Sequence, residues 1–239
     1  MHSISAQDRL IIALDVAGVE EARQAVQTLE GAVNFFKIGL ALQLAPGVET
    51  FLQSLLAQRK RVFLDYKYYD VQETLRKAVG RAARLGVSFL TIHGPASLMR
   101  AAVEAKGESD LKLFTVTVLT SLDVGDIAEM GYTRHAVDEL VLFRAKKALE
   151  AGCDGVIASG REAAKIKELA GNRLLVVTPG IRPEGAPTHE QKRHATPAEA
   201  IRAGADYLVV GRPILDAADP RRAAESILAE MQDAFTAVS

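Results

Sequence analysis

The sequence of 239 residues predicts an α/β protein that forms a single (β/α)8 barrel, the TIM-barrel architecture, over residues 1–239. Short apolar segments alternate with longer amphipathic segments from one end of the chain to the other, and there are eight of each. Three amphipathic segments also end in a glycine just before the next apolar run, as helices commonly do. Because a barrel of this kind takes about 250 residues, these units leave no room for a second domain.

An open doubly wound sheet is the alternative architecture. It usually has fewer strands and a glycine-rich first turn that binds a dinucleotide. The turn after the first predicted strand, Asp15–Gly18, has a single glycine and no G-x-G-x-x-G pattern. The barrel is therefore the preferred prediction.

The predicted strands are brief, rich in Val, Ile, Leu or Phe, and bounded by Gly, Asp, Pro or Ser, as is typical of strands buried on both faces. They are Leu10–Val16, Asn34–Gly39, Arg61–Tyr66, Ser88–His93, Lys112–Leu119, Gly155–Ala158, Leu174–Thr178 and Tyr207–Val210. The predicted helices follow them, each with an apolar stripe. They are Val19–Leu29, Val48–Gln58, Val71–Leu85, Ala96–Lys106, His135–Ala151, Arg161–Leu169, Pro197–Ala203 and Pro220–Phe235.

Composition excludes several classes of protein. The formal net charge is -1, which removes any general attraction to nucleic acid or to an anionic membrane, so we expect neither as a partner. No apolar run approaches the roughly 20 residues of a membrane span, and the polar start, Met1–Arg9, is unlike a signal peptide. Cys153 is the only cysteine, so an intrachain disulfide is impossible. A reducing, cytoplasmic location is expected.

Charged side chains stand at the ends of the first three predicted strands. Asp15 closes the first strand, Lys37 lies near the end of the second, and Asp65 and Lys67 end the third, with Asp70 on the next loop. Asp65 and Lys67 are two residues apart, so they project to the same side of a strand. Because buried charges must be paired, we expect these residues to form an array that alternates in sign where barrel enzymes carry their chemistry.

Such an array suits proton transfer to a carbanion and does not require a metal. The five His and one Cys show no spacing typical of zinc ligands, so no metal or other cofactor is expected. A lysine between carboxylates stays a protonated ammonium, which makes it a proton donor rather than a nucleophile. The carboxylates would repel a substrate carboxylate, and the ammonium would favour the negative carbon left when that carboxylate departs.

A second group of residues predicts a phosphate site. Thr178–Pro183 follows the seventh strand and Val210–Ile214 follows the eighth, and these two loops form the common phosphate site of such barrels. Glycine lets backbone N–H groups approach phosphate closely, and arginine supplies a fork of donors. The long Pro179–Ala195 segment has no regular pattern, which favours a lid over the phosphate.

Taken together, these residues resemble the orotidine 5'-monophosphate decarboxylase family, bacterial type, over nearly the whole chain. The D-x-K-x-x-D stretch is specific to the superfamily. Together with Lys37 and the Gln-x-Arg and Gly-Arg elements, it is specific to the decarboxylase. The motifs are Leu14-Asp15, Phe36-Lys37-Ile38-Gly39, Asp65-x-Lys67-x-x-Asp70, Leu119-Thr120-Ser121, Thr178-Pro179-Gly180-Ile181-Arg182, Gln191-Lys192-Arg193 with Thr196-Pro197, and Gly211-Arg212-Pro213-Ile214.

The resemblance implies a reaction and a role for each catalytic residue. The reaction is cofactor-independent decarboxylation of orotidine 5'-monophosphate to UMP, the last step of de novo pyrimidine biosynthesis. Lys67 is the implied acid that protonates C6, and Asp65 lies against the substrate carboxylate. Asp70 completes a Lys37-Asp65-Lys67-Asp70 network by entering the active site of the partner subunit in a homodimer. Thr74 enters the same site and lies against the ribose.

The resemblance also implies the contacts that bind the substrate. Asp15 and Lys37 hold the ribose hydroxyls, Ser121 with the adjacent Thr120 reads the pyrimidine, and Pro179 lines the pocket near the ring. The implied phosphate ligands are Gln191, Arg212, Arg182 and the Gly211 backbone.

Two departures and two alternatives stand beside this interpretation. The loop after Asp70 reads Val-Gln-Glu-Thr where the family commonly has a Pro-Asn pair, and Tyr68-Tyr69 replaces the usual Phe-His. One alternative is a magnesium-dependent sugar-phosphate relative, which typically has Glu at the position of Lys37. The other is a non-catalytic nucleotide-phosphate sensor, which would need the phosphate end but not the Lys/Asp array.

Overall fold

The computed structural model describes residues 5–133, 136–185 and 193–238. Eight parallel strands close into a barrel in sequence order, with the last strand paired back to the first, which confirms the predicted (β/α)8 fold. The strands are β1 (Leu10–Ala13), β2 (Phe35–Gly39), β3 (Arg61–Tyr68), β4 (Phe89–Ile92), β5 (Lys112–Val116), β6 (Gly155–Ile157), β7 (Leu175–Thr178) and β8 (Tyr207–Val210).

The helices surround this barrel. They are α1 (Ala6–Arg9), α2 (Val19–Thr28), α3 (Leu40–Gln43), α4 (Val48–Ala57), α5 (Gln72–Leu85), α6 (Ala96–Lys106), α7 (Val124–Glu129), α8 (Val137–Ala151), α9 (Gly160–Ala170), α10 (Pro197–Arg202), α11 (Arg212–Leu215) and α12 (Pro220–Val238). The sequence does not predict α1, α3, α7 and α11, because four to six residues are too few to show a helical period. The predicted helix over His135–Ala151 begins at Val137, and His135 lies outside the described residues.

Two predicted strands run three residues past the observed carboxyl ends, β3 continues two residues beyond its predicted end to Tyr68, and the other strand bounds agree to within one residue. β1 ends at Ala13 rather than Val16, and β5 ends at Val116 rather than Leu119. Leu14 and Val118 lie beyond these ends but are buried, so the apolar pattern continues past the last ladder position. The pattern therefore reports burial rather than hydrogen bonding, and Asp15 lies two residues past the strand that it was predicted to close.

The core has an inner and an outer layer. Inside the barrel, aromatic rings from β2, β3, β4, β5 and β8 pack edge-on or tilted, with centroids 4.5–6.4 Å apart. Arg61 caps this layer at the amino end, with its guanidinium 4.1 Å from the Phe35 ring centroid. The outer layer packs the other face of each strand against the helices. Side chains thus fill the barrel interior on the amino side of the carboxyl strand ends. A site for ligand binding and catalysis can therefore form only at the carboxyl ends of the strands.

Side-chain alternation along the strands sets the next inward layer above the aromatic rings. Phe35 on β2 and Phe63 on β3 point into the barrel, so Lys37 and Asp65, two residues further on, point inward as well.

The described helices include none long and apolar enough to cross a membrane.

Candidate active site

A cavity of about 690 Å³ opens at the carboxyl ends of the strands. Most of the residues predicted for the site line it, although they come from six separate loops and strand ends. Those that line it are Asp15, Lys37, Asp65, Lys67, Thr120, Ser121, Pro179, Arg182, Gly211 and Arg212.

Four of these side chains form one chain of ion pairs that alternates in sign. The Lys37 ammonium donates to Asp15 Oδ1 at 2.9 Å and lies 3.5 Å from Asp65 Oδ2. The Lys67 ammonium donates to Asp65 Oδ1 at 3.0 Å. Asp65 therefore has a cation on each carboxylate oxygen, and the four formal charges cancel.

Burial increases toward the middle of this chain of ion pairs. The side chain of Lys37 is 8% exposed and that of Asp65 is 17% exposed, whereas Lys67 is half-buried at the cavity wall. Burial alone would raise the pKa of Asp65, but the charges of Lys37 and Lys67 and hydrogen bonds from Lys67 and Thr91 outweigh it and lower that pKa. Asp65 is thus held as a carboxylate beside an ammonium that reaches the cavity.

Thr91 is part of this arrangement and is missed by the sequence analysis. Its hydroxyl donates to Asp65 Oδ1 at 2.9 Å and accepts the backbone N–H of Lys67 at 2.9 Å. Only its position two residues after the inward-facing Phe89 could have indicated it, and threonine is also common in strands for packing reasons.

Gly39 provides the space in which Lys37 and Asp15 meet. A Cβ atom at this position would lie 2.9 Å from Asp15 Oδ1 and 2.9 Å from Lys37 Nζ, closer than side-chain carbons normally come. The end of β2 therefore requires a residue without a side chain if this ion pair is to keep its geometry.

The loop after β5, which carries Thr120 and Ser121, is held by a buried arginine. Arg193 donates to the carbonyl oxygens of Val118 and Leu119 at 3.0 and 2.8 Å. The same guanidinium pairs with Glu162 Oε1 at 2.6 Å, and the other oxygen of Glu162 accepts from Ser159. Sequence analysis singles out Arg193 only within the Gln-x-Arg motif and does not identify this role.

The structure places some, but not all, of the residues predicted to bind phosphate in the cavity. Arg182 and Arg212 line the same cavity, together with Gly180 and Gly211. The base of the loop after β7 is closed by a bridge between Ile181 and Ala195, in which the Arg182 N–H donates to the Ala195 carbonyl at 2.9 Å. The middle of the predicted lid, residues 186–192, lies outside the described residues, and Gln191 is among them.

Asp70 and Thr74 are not brought to the cavity of their own chain. Both are exposed, and Asp70 Oδ1 accepts the N–H of Val71 at 2.6 Å. The predicted Lys37-Asp65-Lys67-Asp70 network therefore lacks its fourth member within one chain, and Asp15 takes an outer position instead. Among the residues that the structure describes, no group of three or more His, Cys, Asp or Glu is arranged to hold a metal ion.

A closed parallel barrel with a partly buried chain of lysine–aspartate ion pairs at the carboxyl ends of its strands defines the protein as a (β/α)8-barrel enzyme. A comparison with family models then identifies it more narrowly. The chain belongs to the Orotidine 5'-phosphate decarboxylase / HUMPS family, whose model matches residues 8–227.

Individual relatives support this assignment. The chain is 54% identical over 230 residues to orotidine 5'-phosphate decarboxylase of Nitrobacter winogradskyi, covering 96% of this chain and 95% of the relative. It is 48% identical over 235 residues to the protein of the same name from Methylococcus capsulatus, covering 98% and 96%. Among solved structures, orotidine 5'-phosphate decarboxylase from Lactobacillus acidophilus superimposes with a TM-score of 0.82 at 35% identity, covering 94% of this chain and 99% of that one.

Proposed function

We propose that the protein decarboxylates orotidine 5'-monophosphate to UMP and CO2 without a cofactor, in the last step of de novo UMP biosynthesis. The observation that carries the proposal is the chain of ion pairs from Asp15 through Lys37 and Asp65 to Lys67 in the cavity. Family membership and relatives of that name agree with it.

Lys67 is the proton donor in this mechanism. When the bond between C6 and the carboxylate carbon breaks, its electron pair stays on C6 and CO2 leaves. A proton then passes from the Lys67 ammonium to C6, and Lys67 regains a proton from solvent. An ammonium fixed before the reaction stabilises the negative charge as it develops, because no solvent has to reorganise around it.

Asp65 orients Lys67 and sets the charge of the pocket. Its carboxylate is ionised, since its pKa is lowered, and it holds the Lys67 ammonium at 3.0 Å. A substrate carboxylate seated beside Lys67 would meet the negative charge of Asp65, and this repulsion disappears when CO2 departs. Lys37, held between Asp15 and Asp65, keeps the two carboxylates apart. In this proposal Lys37 and Asp15 hold the ribose hydroxyls.

Other residues that line the cavity bind the remainder of the nucleotide. Thr120 and Ser121 read the pyrimidine, and Pro179 lines the wall near the ring. Arg182, Arg212, the Gly211 backbone and Gln191 bind the phosphate, far from C6. Binding energy from the phosphate is then available to organise the reacting end of the site, which raises the rate of the chemical step.

The active enzyme is a homodimer in the cytoplasm, and each chain, residues 1–239, is one catalytic domain. Asp70 and Thr74 are exposed beside the cavity-forming strand β3, which fits residues that enter the site of a partner subunit. In that arrangement Asp70 supplies the fourth member of the Lys37-Asp65-Lys67-Asp70 network.

The test is a decarboxylation assay on the purified protein without added metal and with a chelator present. Loss of the ultraviolet absorbance of orotidine 5'-monophosphate, with formation of UMP, is the expected result. Activity that disappears in chelator and returns with magnesium would instead support the sugar-phosphate relative. Tight binding of UMP without turnover would support the nucleotide sensor.

A further inference from the structure

Thr91 lies directly beneath the reacting pair and touches both of its members. It is fully buried on β4 and does not line the cavity. Its hydroxyl donates to Asp65 Oδ1 at 2.9 Å, the same oxygen that accepts from the Lys67 ammonium at 3.0 Å. The hydroxyl also accepts the Lys67 backbone N–H at 2.9 Å. One hydroxyl therefore joins the carboxylate to the backbone of the proton donor.

The backbone at Lys67 explains why this bond is needed. The register of β3 against β4 shifts between Leu64 and Tyr68, so the regular ladder is interrupted at Lys67. Lys67 has φ of 49°, a left-handed conformation that residues with a side chain rarely adopt. An interrupted ladder leaves a backbone N–H without its usual partner, and buried N–H groups require one. The Thr91 hydroxyl is that partner.

From these contacts we infer that Thr91 is a positioning residue for decarboxylation, which sets Lys67 through its backbone and Asp65 through its carboxylate. The inference rests on the proposed function and adds a residue to it. Because Thr91 is outside the cavity, it acts on the reacting groups and not on the nucleotide. Its loss should therefore lower kcat and leave KM nearly unchanged.

The hydroxyl and the methyl group of Thr91 can be separated by substitution. Thr91→Val keeps the shape and removes the hydroxyl, whereas Thr91→Ser keeps the hydroxyl and removes the methyl group. We expect Thr91→Val to lower kcat at least about tenfold, because that is the order of the effect of losing one hydrogen bond to a charged group. KM should stay within about threefold of the wild-type value. Thr91→Ser should keep kcat within about threefold of the wild type.

A neighbouring threonine provides the matched control. Thr115 is fully buried on β5, and its hydroxyl has no hydrogen-bond partner among the described residues. Thr115→Val is therefore the same chemical change without a lost contact, and it should leave kcat unaltered. If Thr91→Val does not fold, the pair Thr91→Ala and Thr91→Ser isolates the hydroxyl, because both lack the methyl group.

All variants are assayed with orotidine 5'-monophosphate beside the wild type, and their folding is checked by thermal melting. A low kcat in Thr91→Val or Thr91→Ala with recovery in Thr91→Ser supports the inference. A Thr91→Val kcat equal to the wild type, or a Thr91→Ser variant as impaired as Thr91→Ala, overturns it. An inactive wild type would contradict the proposed function itself, so the two failures are distinguishable.

Discussion

The Lys67 ammonium lies 3.0 Å from the carboxylate of Asp65, two residues earlier on the same strand, although the backbone of Lys67 is left-handed. Alternation along a regular strand places these residues on one face, but the irregular backbone at Lys67 requires a neighbouring strand to complete the geometry. The charged pair is thus formed by β3 and held by β4.

Gly39→Ala should raise KM for the substrate while changing the stability of the fold little. The added Cβ would lie 2.9 Å from both Lys37 Nζ and Asp15 Oδ1, and these flexible side-chain ends would have to move apart. We expect KM for orotidine 5'-monophosphate to rise about tenfold, which corresponds to about 1.4 kcal/mol, with little change in Tm. Steady-state kinetics and thermal melting measure the two effects. Gly18→Ala is the control, because a Cβ there meets nothing within 4 Å, and an equal rise in KM in both variants would contradict the role of Gly39.

Arg193→Met should destabilise the protein strongly. It removes the partner of the buried Glu162 carboxylate together with two hydrogen bonds to the loop after β5. Loss of one member of a buried ion pair costs about 3 kcal/mol, which corresponds to a fall in Tm of roughly 6–12 °C for a chain of this size. The control is Arg202→Met, an exposed arginine on α10.

A double-mutant cycle then shows whether the Arg193 effect comes from this pair. In Glu162→Gln/Arg193→Met the uncompensated charge is gone, so the double variant should lose less stability than the sum of the two single variants. Purely additive losses would mean that Arg193 stabilises the loop independently of Glu162.

The sequence predicts the site well where its residues follow strand alternation. Lys37 and Asp65 occupy inward-facing positions of strands whose type and order are evident from their apolar residues. The prediction that Lys67 lies on the same side as Asp65 also holds, but its left-handed backbone is not part of the strand pattern. The sequence predicts less well what depends on contacts between distant segments. The bond from Thr91 to Asp65 spans 26 residues and the pair of Arg193 with Glu162 spans 31, and no local pattern reports either. The sequence also does not show how closely side chains approach one another. It therefore identifies Gly39 only as part of a motif, and the steric reason for a glycine becomes evident only from the positions of Asp15 and Lys37 beside it.

The stability contributed by Asp65 should depend on pH in a defined direction. Its pKa in the folded protein is lowered from the ordinary value of 3.8, so its contribution is complete above pH 3.8 and is lost as the pH falls through the lower, folded-state pKa. Asp65→Asn should lower the free energy of unfolding by about 2 kcal/mol at pH 7, because Lys37 and Lys67 lose a charged partner.

Denaturant unfolding from pH 8 down to pH 3 measures this dependence. The difference between wild type and Asp65→Asn should be constant at neutral pH and should shrink only below pH 3.8. Asp233→Asn, an exposed residue on α12, is the control and should give a small difference throughout. A difference that vanishes already above pH 5 would contradict the lowered pKa.

Mixing two inactive variants tests the proposed contribution of Asp70 to the partner's site. A heterodimer of Asp70→Ala and Lys67→Ala subunits has one site with both residues intact and one site with neither. With free subunit exchange at equal concentrations, about a quarter of the wild-type activity should return, since half of the dimers of a twofold assembly are mixed. Activity that stays at the level of the separate variants would place Asp70 outside the partner's site.

The most direct test of the central claim is the decarboxylation rate of Lys67→Ala in the presence of chelator. The wild type should convert orotidine 5'-monophosphate to UMP, and Lys67→Ala should lose at least about 10²-fold in kcat, because a positioned general acid contributes that much or more. Lys165→Ala, which removes an exposed lysine paired with Asp138, should remain fully active. A Lys67→Ala variant that works at a near-native rate would contradict the assignment of Lys67 as the proton donor.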